Sequence, residues 1–481
     1  MSIEDKLVQL ANTKANIKSA IEAKGQSTTG IPFDQYPSLI NAIETAGPPP
    51  APEEAWTRPS DWLTLPELTD LSERFVGLFA VTPEDNKVTV TASGNFTVDW
   101  GDGVVENFTA GTKAEHEYNY ATFDPSNTTL SSRGYKQAII QAYPQAGQSL
   151  TQVSIVGIPT GITHKYHFNW LDIAFAGQLI SFIGVGVKSL NGFSSDTGFR
   201  MLEQIKVYKN SIVNWNQIFL NCRTVQNIPV LWTNLGLSFS RTFSGCRSLR
   251  YVCDLNTNQA SLMSYIFDYC QALLKLPQMN TSRVTNMASA FSYCASITSV
   301  PDYDFSAVTN LSYTFQNCIS LIKGPYINAP LATQVNNIFE NNYSMVIAGL
   351  TAPLATNGSA LFALNYCLRE ITHFDLGVLT SYGNIFRECN SLKEIPYFST
   401  ELTSDQSSTS FTNCHSMMRA RINTNRTFSI AQSNMSAAAL NEMFTNLQTA
   451  VAGAVVTITG CPGAATCDRS IATSKGWTVT G

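Results

Sequence analysis

Phenylalanine recurs at an almost constant interval through much of the chain. The successive gaps are 24, 24, 24, 24, 24, 23, 24 and 25 residues, and the positions are Phe219, Phe243, Phe267, Phe291, Phe315, Phe339, Phe362, Phe386 and Phe411. Such a period is typical of repeat proteins, in which one unit cannot bury its apolar face alone and stacks on its neighbours. The interval therefore predicts a solenoid, assigned to residues 148–425, with these phenylalanines as its structural core.

The clearest copy of the repeat, residues 281–301, combines two kinds of periodicity. The spacing of one helix face is followed by Met287, Ala290, Phe291 and Cys294. Ile297 and Val300 then suit a short strand, which ends at Pro301 because proline has no backbone N–H to donate. Each coil is predicted to run from a short helix into a short strand.

This stretch, TSRVTNMASAFSYCASITSVP, resembles the leucine-rich-repeat variants of bacterial surface proteins of the BspA type. The resemblance covers about residues 200–425 and extends more weakly back to about residue 150. It implies a leucine-rich-repeat solenoid with coils of about 24 residues, and it indicates no particular ligand.

Cysteine follows the repeated phenylalanine by three positions in most coils. The cysteines are Cys222, Cys246, Cys270, Cys294, Cys318, Cys389 and Cys414, with asparagine instead at Asn342 and Asn365. They form either a metal or redox array or a ladder of small buried side chains. Metal sites need clustered ligands, whereas these cysteines occur once per coil, without C-x-x-C, and the five histidines share no register. We expect buried free thiols, and no metal or cofactor.

Composition limits the partners of the chain. With 481 residues, 44% hydrophobic and 14% charged, it should form a multidomain globular protein. A net charge of -5 argues against nucleic acid, because a phosphate backbone needs a basic surface. No run of about 18 apolar residues is present, so no membrane insertion is expected. The N-terminus lacks the apolar core of a secretory signal, which favours folding in a reducing cytoplasm.

Residues 88–123, within a domain assigned to 67–147, alternate between apolar and polar residues in the manner of antiparallel strands. The run D-W-G-D-G at 99–103 and the later H-x-Y at 116–118 resemble those of PKD-type β-sandwiches, which implies that fold here. Asp99 and Asp102 suggest either a calcium site or a turn. Calcium takes six to eight oxygens, so two carboxylates favour the turn.

The first 46 residues are predicted to be helical. A heptad seam is formed by Ile3, Leu7, Leu10, Ile17 and Ile21, with Lys14 in the seam. Either this helix packs on a second short helix as a hairpin, or it self-associates as an anchor. The second interpretation leads us to expect a homotrimer. A proline-rich stretch at 47–66 is predicted to be an extended linker.

A second resemblance concerns the order of these segments. The sequence LANTKANIKSAIEAKGQSTTGIPFDQYPSLINAI is similar to the N-terminal helix-loop-helix of bacteriophage tail and fibre proteins. Those proteins often continue through a segment like RPSDWLTLP, here at 58–66, and a D-W-G-D-G sandwich. The resemblance implies a virion protein of a tail or other surface appendage, assembled in the host cytoplasm and attached to other virion proteins by its N-terminus.

At the other end, residues 426–481 are predicted to be an α/β cap that covers the last coil. Ser436 is suited to be the N-cap of a helix whose apolar face carries Leu440, Met443, Phe444 and Leu447. A strand, a short helix and a final strand should follow. The similarity to the closing units of phage repeat proteins supports the same assignment.

No catalytic motif occurs in the chain, so we expect no enzyme. The acidic pair Asp302 and Asp304 is better explained as solvated loop carboxylates than as a glycosidase pair. Aromatic residues follow the proline position of four coils, at Trp232, Tyr303, Tyr326 and Tyr397. They either cover the core or bind a host-surface glycan or protein. The chain is thus expected to be a receptor-binding fibre or, alternatively, a structural decoration or connector protein without a receptor.

Overall fold

The computed structural model describes residues 56–161, 169–178, 181–183, 201–402 and 409–481. The chain divides into two compact units, Met1–Thr57 and Arg58–Gly481, and almost all described residues belong to the second. The helical anchor predicted for residues 1–46, with its seam of Ile3, Leu7, Leu10, Ile17 and Ile21, lies outside the described residues. The described part is mainly β, as predicted, and only two short helices occur within it.

The first nine strands build a sandwich. They are β1 Arg74–Val81, β2 Lys87–Ala92, β3 Phe96–Asp99, β4 Val105–Phe108, β5 Ala114–Glu117, β6 Lys136–Pro144, β7 Gln152–Ser154, β8 Trp170–Ala176 and β9 Ser181–Ile183. One sheet contains β8, β1, β6, β3 and β4 in that order, and the second has the order β5-β2-β7-β9. Phe79 of the first sheet packs on Tyr118, which follows β5, and on Trp170, with ring centroids 6.4 and 5.3 Å away.

The D-W-G-D-G run closes the turn between β3 and β4. Asp99 accepts a hydrogen bond from the backbone N–H of Gly101, and Asp102 accepts one from Val104. Gly101 has a φ of +78°, and a Cβ at this position would come within 2.4 Å of a backbone oxygen, so only glycine fits. The two aspartates therefore act as turn residues.

The buried Trp100 links this turn to the second sheet. Its carbonyl oxygen accepts a 2.6 Å hydrogen bond from the hydroxyl of Tyr118. The ring of His116 stacks on the indole of Trp100, while its Nε2 lies 2.8 Å from Asp102. The H-x-Y run thus contributes one ring stack and two hydrogen bonds to the turn from the neighbouring sheet.

The sandwich and the solenoid share one sheet. Strand β8 pairs antiparallel with β1 on one side and parallel with β10 Gln204–Val207 on the other. The parallel pairing continues into β11 Asn227–Leu231 and β12 Tyr251–Val252, which belong to successive coils. The first coils of the solenoid are therefore held to the sandwich by continuous backbone hydrogen bonds.

Part of the proline-rich stretch is fixed against this sheet. Arg58 donates a 3.0 Å hydrogen bond to the fully buried carboxylate of Asp172 in β8. Trp62, itself buried, donates from its indole N–H to the hydroxyl of Tyr135. Asp61 accepts hydrogen bonds from Ser131 and Ser132, and these bonds lower the pKa of its carboxyl group to about 2. Residues 58–62 are therefore docked on the protein, although they lie in the stretch 47–66 that was predicted to be an extended linker.

The later coils contribute five longer strands, which are β13 Lys323–Asn328, β14 Ile347–Ala352, β15 Glu370–Leu376, β16 Glu394–Ser399 and β17 Arg419–Asn423. Strands β13, β14 and β15 form one parallel sheet, and β16 pairs in parallel with β17. Isolated parallel bridges join neighbouring coils, for example Asn286 to Asn310. The stacked coils about 24 residues apart confirm the predicted solenoid.

The phenylalanines of successive coils stack on one another inside the solenoid. All eight consecutive pairs from Phe219 to Phe411 have ring centroids between 4.9 and 6.2 Å apart and interplanar angles between 4° and 21°. Each of these rings is at most 1% exposed. The predicted structural core is confirmed, because every ring is sandwiched between its neighbours or, at the ends, packed on one of them.

The short helix predicted for each coil is wrong. Residues 287–294 form consecutive tight turns, and Ser289 and Tyr293, two positions either side of Phe291, have φ values of 54° and 58°. The N–H groups of Met287, Ser289, Phe291 and Tyr293 donate to carbonyls of the next coil. In an α-helix these N–H groups would point along the helix axis. Here the backbone alternates between right-handed and left-handed conformations, which directs the N–H groups toward the neighbouring coil.

The C-terminal cap matches its prediction. Helix α1, Ala437–Asn446, begins after Ser436, whose hydroxyl accepts from the N–H of Ala439, and it buries Leu440, Met443 and Phe444. The next elements are β19 Val455–Thr457, α2 Ser470–Thr473 and β20 Thr478–Thr480, with β18 Phe428–Ser429 preceding α1. Phe428 packs between Phe411 of the last coil and Trp477, which closes the end of the phenylalanine stack.

We expect Phe291→Ala to lower the free energy of unfolding by about 3–5 kcal/mol, because a fully buried ring is replaced by a cavity. Urea denaturation followed by circular dichroism measures the change. Tyr343→Ala is the matched control, because Tyr343 is 42% exposed in a neighbouring part of the solenoid and should cost less than about 1 kcal/mol. Equal losses in the two variants would contradict a core role for the stack.

Candidate functional site

Two of the four aromatic residues singled out in the sequence lie on the outer face of the solenoid sheet. Tyr326 in β13 is 48% exposed and Tyr397 in β16 is 51% exposed. Side chains alternate between the two faces of a strand, and the adjoining Ile327 and Phe398 are buried in the core. Both tyrosines therefore project outward because their neighbours point inward.

His373 joins these tyrosines on the same face. It is exposed in β15, and its ring lies 4.3 Å from the ring of Tyr326, centroid to centroid, with an interplanar angle of 32°. The strand between them, β14, carries Gly349 opposite Tyr326. A Cβ on Gly349 would come within 3.1 Å of the Tyr326 ring and 2.9 Å of Thr372. The absence of a side chain at position 349 lets the two rings meet across the strand.

We call Tyr326, His373 and Tyr397 the aromatic row. Each stands eleven residues after the phenylalanine of its own coil, at Phe315, Phe362 and Phe386 respectively. The repeat register thus contained the signal for His373, which sequence reasoning missed because only tyrosine and tryptophan were sought at this edge.

A polar row runs beside the aromatic row, and it consists of Asn328, Thr351 and Asp375. These residues are register partners across β13, β14 and β15. The hydroxyl of Tyr326 lies 3.1 Å from that of Thr351, so the two rows are in contact. Asn328 and Asp375 are exposed. The surface therefore offers flat rings next to groups that donate and accept hydrogen bonds.

The interpretation of Tyr303 as an exposed binding residue is wrong. Its side chain is buried, its ring stacks 5.6 Å from Phe291, and its hydroxyl donates a 2.6 Å hydrogen bond to the carbonyl of Pro277. Burial raises the pKa of this hydroxyl well above its usual range. Tyr303 stands twelve residues after Phe291 instead of eleven, and an offset of one residue turns a side chain to the opposite face.

Trp232 does not belong to the aromatic row either. It is half-buried at the end of β11, where its carbonyl accepts a hydrogen bond from the side chain of Asn210. Of the four aromatic residues predicted to share an edge, the structure brings only Tyr326 and Tyr397 to the same face, and Trp232 lies in a different part of the solenoid.

The acidic pair in the 302–304 loop is arranged as turn residues. Asp304 accepts a 2.8 Å hydrogen bond from the N–H of Ser306, and this bonding lowers the pKa of its carboxyl group. Its carbonyl oxygen also accepts from the hydroxyl of Thr281 in the preceding coil. These bonds give Asp304 a structural role in joining two coils.

The repeated cysteines are buried and free. The thiol of Cys294 donates to the carbonyl of Phe267 at 3.2 Å, and the same bond to the preceding phenylalanine recurs at Cys246, Cys270, Cys318, Cys389 and Cys414. Burial raises the pKa of the Cys294 thiol well above its usual range. Asn365, in the cysteine position, donates its amide to the carbonyl of Phe339 at 2.7 Å. The cysteine position therefore supplies a hydrogen-bond donor to a core carbonyl.

In the part of the chain that the structure describes, no cluster of three or more histidine, cysteine, aspartate or glutamate side chains could hold a metal ion. None of the helices in this part is long and apolar enough to cross a membrane.

Comparison with known proteins places the repeat in context. Residues 237–348 match a family described as "Mycoplasma protein of unknown function, DUF285". The match lies inside the solenoid and covers the coils of Phe243, Phe267, Phe291, Phe315 and Phe339. A comparison with curated proteins found no match. The match supports a repeat solenoid of the BspA-like kind for this part of the chain.

We expect Cys367 to be the fastest thiol to react in the native protein, because it is the exposed one among the 11 cysteines. Cys253 and Cys467 are partly buried and should react slowly, and the other eight should react only after unfolding, since a buried thiol rarely forms the reactive thiolate. Mass spectrometry after timed alkylation measures the order.

Labelling in urea provides the control, because all 11 thiols should then react. Rapid native labelling of Cys294, or stoichiometric zinc or iron in the purified protein, would contradict the packing role.

Proposed function

We propose that this chain is a structural protein of a bacteriophage virion that contacts the host surface through the outer face of its solenoid. The observation that carries the proposal is the aromatic row, where Tyr326 and Tyr397 each leave about half of a large ring exposed. Large aromatic side chains exposed at the same position of several coils are typical of binding surfaces. A tail fibre or other receptor-binding adhesin is the role that fits such a surface.

Virion membership is supported by the sequence resemblance, which joins an N-terminal helix-loop-helix, the segment 58–66 and the turn 99–103 in one order. In this proposal residues 1–46 attach the chain to other virion proteins after assembly in the host cytoplasm. Arg58 and Trp62, which begin the second unit, are docked on the sandwich. No enzymatic step is proposed.

A second candidate is a decoration or connector protein without a receptor. It is favoured by a row of exposed aliphatic side chains at one corner of three consecutive coils, Leu331, Leu354 and Val378, which are 49%, 53% and 43% exposed. Such a row suits contact with another virion protein. In this case the solenoid would pack against other virion proteins, and the purified chain would not bind to host cells.

We expect an excess of the purified chain to lower adsorption of the phage that encodes it to its host, because both compete for one receptor. The Phe291→Ala variant at equal concentration is the control, since its solenoid is destabilised. Plaque counts of unadsorbed phage measure the effect. Unchanged adsorption, with the chain present in purified particles, would indicate the decoration role, and absence of the chain from particles would contradict virion membership.

We also expect a homotrimer, held together by the seam of Ile3, Leu7, Leu10, Ile17 and Ile21. Multi-angle light scattering at micromolar concentration measures the mass. The double variant Leu10→Asp and Ile17→Asp places two charges in the seam and should release monomers, because a buried unpaired charge is costly. A wild-type chain that is already monomeric would contradict this expectation.

A further inference from the structure

We infer that the aromatic row and the polar row together form a binding site for a neutral polysaccharide, a chain of hexose or N-acetylhexosamine units lying across strands β13 to β16. This inference rests on the proposed function and names the ligand class of the same surface. It joins two observations: exposed rings, of which Tyr326 and His373 are packed against each other, and a parallel line of hydrogen-bonding groups at the next outward position.

The exposed rings can stack on sugar units. The apolar C–H face of a pyranose packs on the flat face of an aromatic ring, which buries apolar surface and adds attraction between C–H groups and the ring. Tyr326 and His373 lie against each other across Gly349 and together form one exposed aromatic surface, and Tyr397 supplies a second ring in the next coil after that of His373. A sugar chain therefore has two separate aromatic surfaces to cover.

The hydroxyl groups of the sugar need hydrogen-bond partners when water is displaced from them. The polar row supplies an amide at Asn328, a hydroxyl at Thr351 and a carboxylate at Asp375. A carboxylate accepts from two hydroxyls at once, and an amide both donates and accepts. These three side chains match the mixed donors and acceptors of a sugar ring better than they match an apolar protein surface.

Charge selects the neutral class of polysaccharide. Asp375 and Glu370 are exposed in β15, in the same strand as His373, and neither forms an ion pair within the described part of the chain. Three cationic side chains, Lys323, Arg369 and Lys393, stand at the starts of β13, β15 and β16 and balance the carboxylates of these strands. A surface without net positive charge favours a neutral polymer over a polyanion such as nucleic acid or a sulfated glycan.

Spacing favours a polymer over a single sugar. Neighbouring coils of a parallel sheet lie about 4.8 Å apart, a distance close to the length of one pyranose unit along a glycan chain. The aromatic row extends from the coil of Phe315 to that of Phe386, so its rings are spread over four coils. A polymer that follows the solenoid axis can contact the row at several of its units, which multiplies weak contacts into useful affinity.

The test uses the full-length chain with a fluorescent label on host cells. The double variant Tyr326→Ala and Tyr397→Ala should bind at least roughly tenfold more weakly, because two stacking surfaces are lost. Tyr343→Ala is the matched control, since this tyrosine is 42% exposed but lies outside the row. Tyr326→Phe should retain binding, because it keeps the ring. Thermal unfolding of each variant verifies that the fold is intact.

The ligand class is tested on the same cells. Periodate oxidation, which cleaves sugar diols, should abolish labelling, whereas protease treatment should not. The neutral polysaccharide fraction of the host envelope should compete with the cells, and heparin should not. Loss of labelling after protease treatment alone, or competition by heparin alone, would overturn the assignment to a neutral polysaccharide.

The outcomes separate this inference from the proposed function. Cells that bind the double variant as well as the wild type would overturn the site while leaving an adhesin role in place. Cells that bind none of the proteins, including the wild type, would overturn the adhesin role and this site with it. Binding that is lost in the double variant and retained in Tyr343→Ala supports both.

Discussion

Stacking of phenylalanine rings from coil to coil is the interaction on which the rest of this structure depends. Each ring lies on the next at 4.9 to 6.2 Å, and the backbone around it must pass through left-handed positions on both sides, as at Ser289 and Tyr293 around Phe291. The carbonyl of the ring residue is then paired with a thiol or amide of the next coil. A buried carbonyl without such a partner would cost about 1–3 kcal/mol, which explains the donor at most of the cysteine positions.

The surface follows from this core. Because the stack fixes the register of every coil, a residue at a given distance from the phenylalanine faces the same way in most coils. Tyr326, His373 and Tyr397 share the distance of eleven and face outward, whereas Tyr303 stands at twelve and fills the core. The aromatic row was therefore partly readable from the sequence, provided that positions were counted from the phenylalanine and not from the proline.

Other features could not be read from the chain alone. Spacing of i, i+3, i+4 and i+7 predicts one buried face, and both a helix and a run of tight turns satisfy it at Met287, Phe291 and Cys294. The tight turns are the conformation that forms hydrogen bonds between neighbouring coils. The sheet shared by sandwich and solenoid depends on the pairing of β8 with β1 and β10, which are far apart in sequence, and no local pattern specifies such a register. The ion pair between Arg58 and Asp172 joins residues 114 positions apart, and no local pattern predicts it either.

Rigidity connects these features to binding. From Arg58 onward the chain is held by the ion pair to Asp172, by the shared sheet, by the phenylalanine stack and by the C-terminal cap at Phe428. Side chains on the aromatic row therefore lose little conformational freedom when a ligand covers them, because Tyr326 is already packed against His373 and bonded to Thr351. A surface organised in this way pays less ordering entropy per contact than a mobile loop would. The repeated core thus places the outward rings of the Phe315, Phe362 and Phe386 coils at the same position of the repeat, and each is held by the packing beneath it.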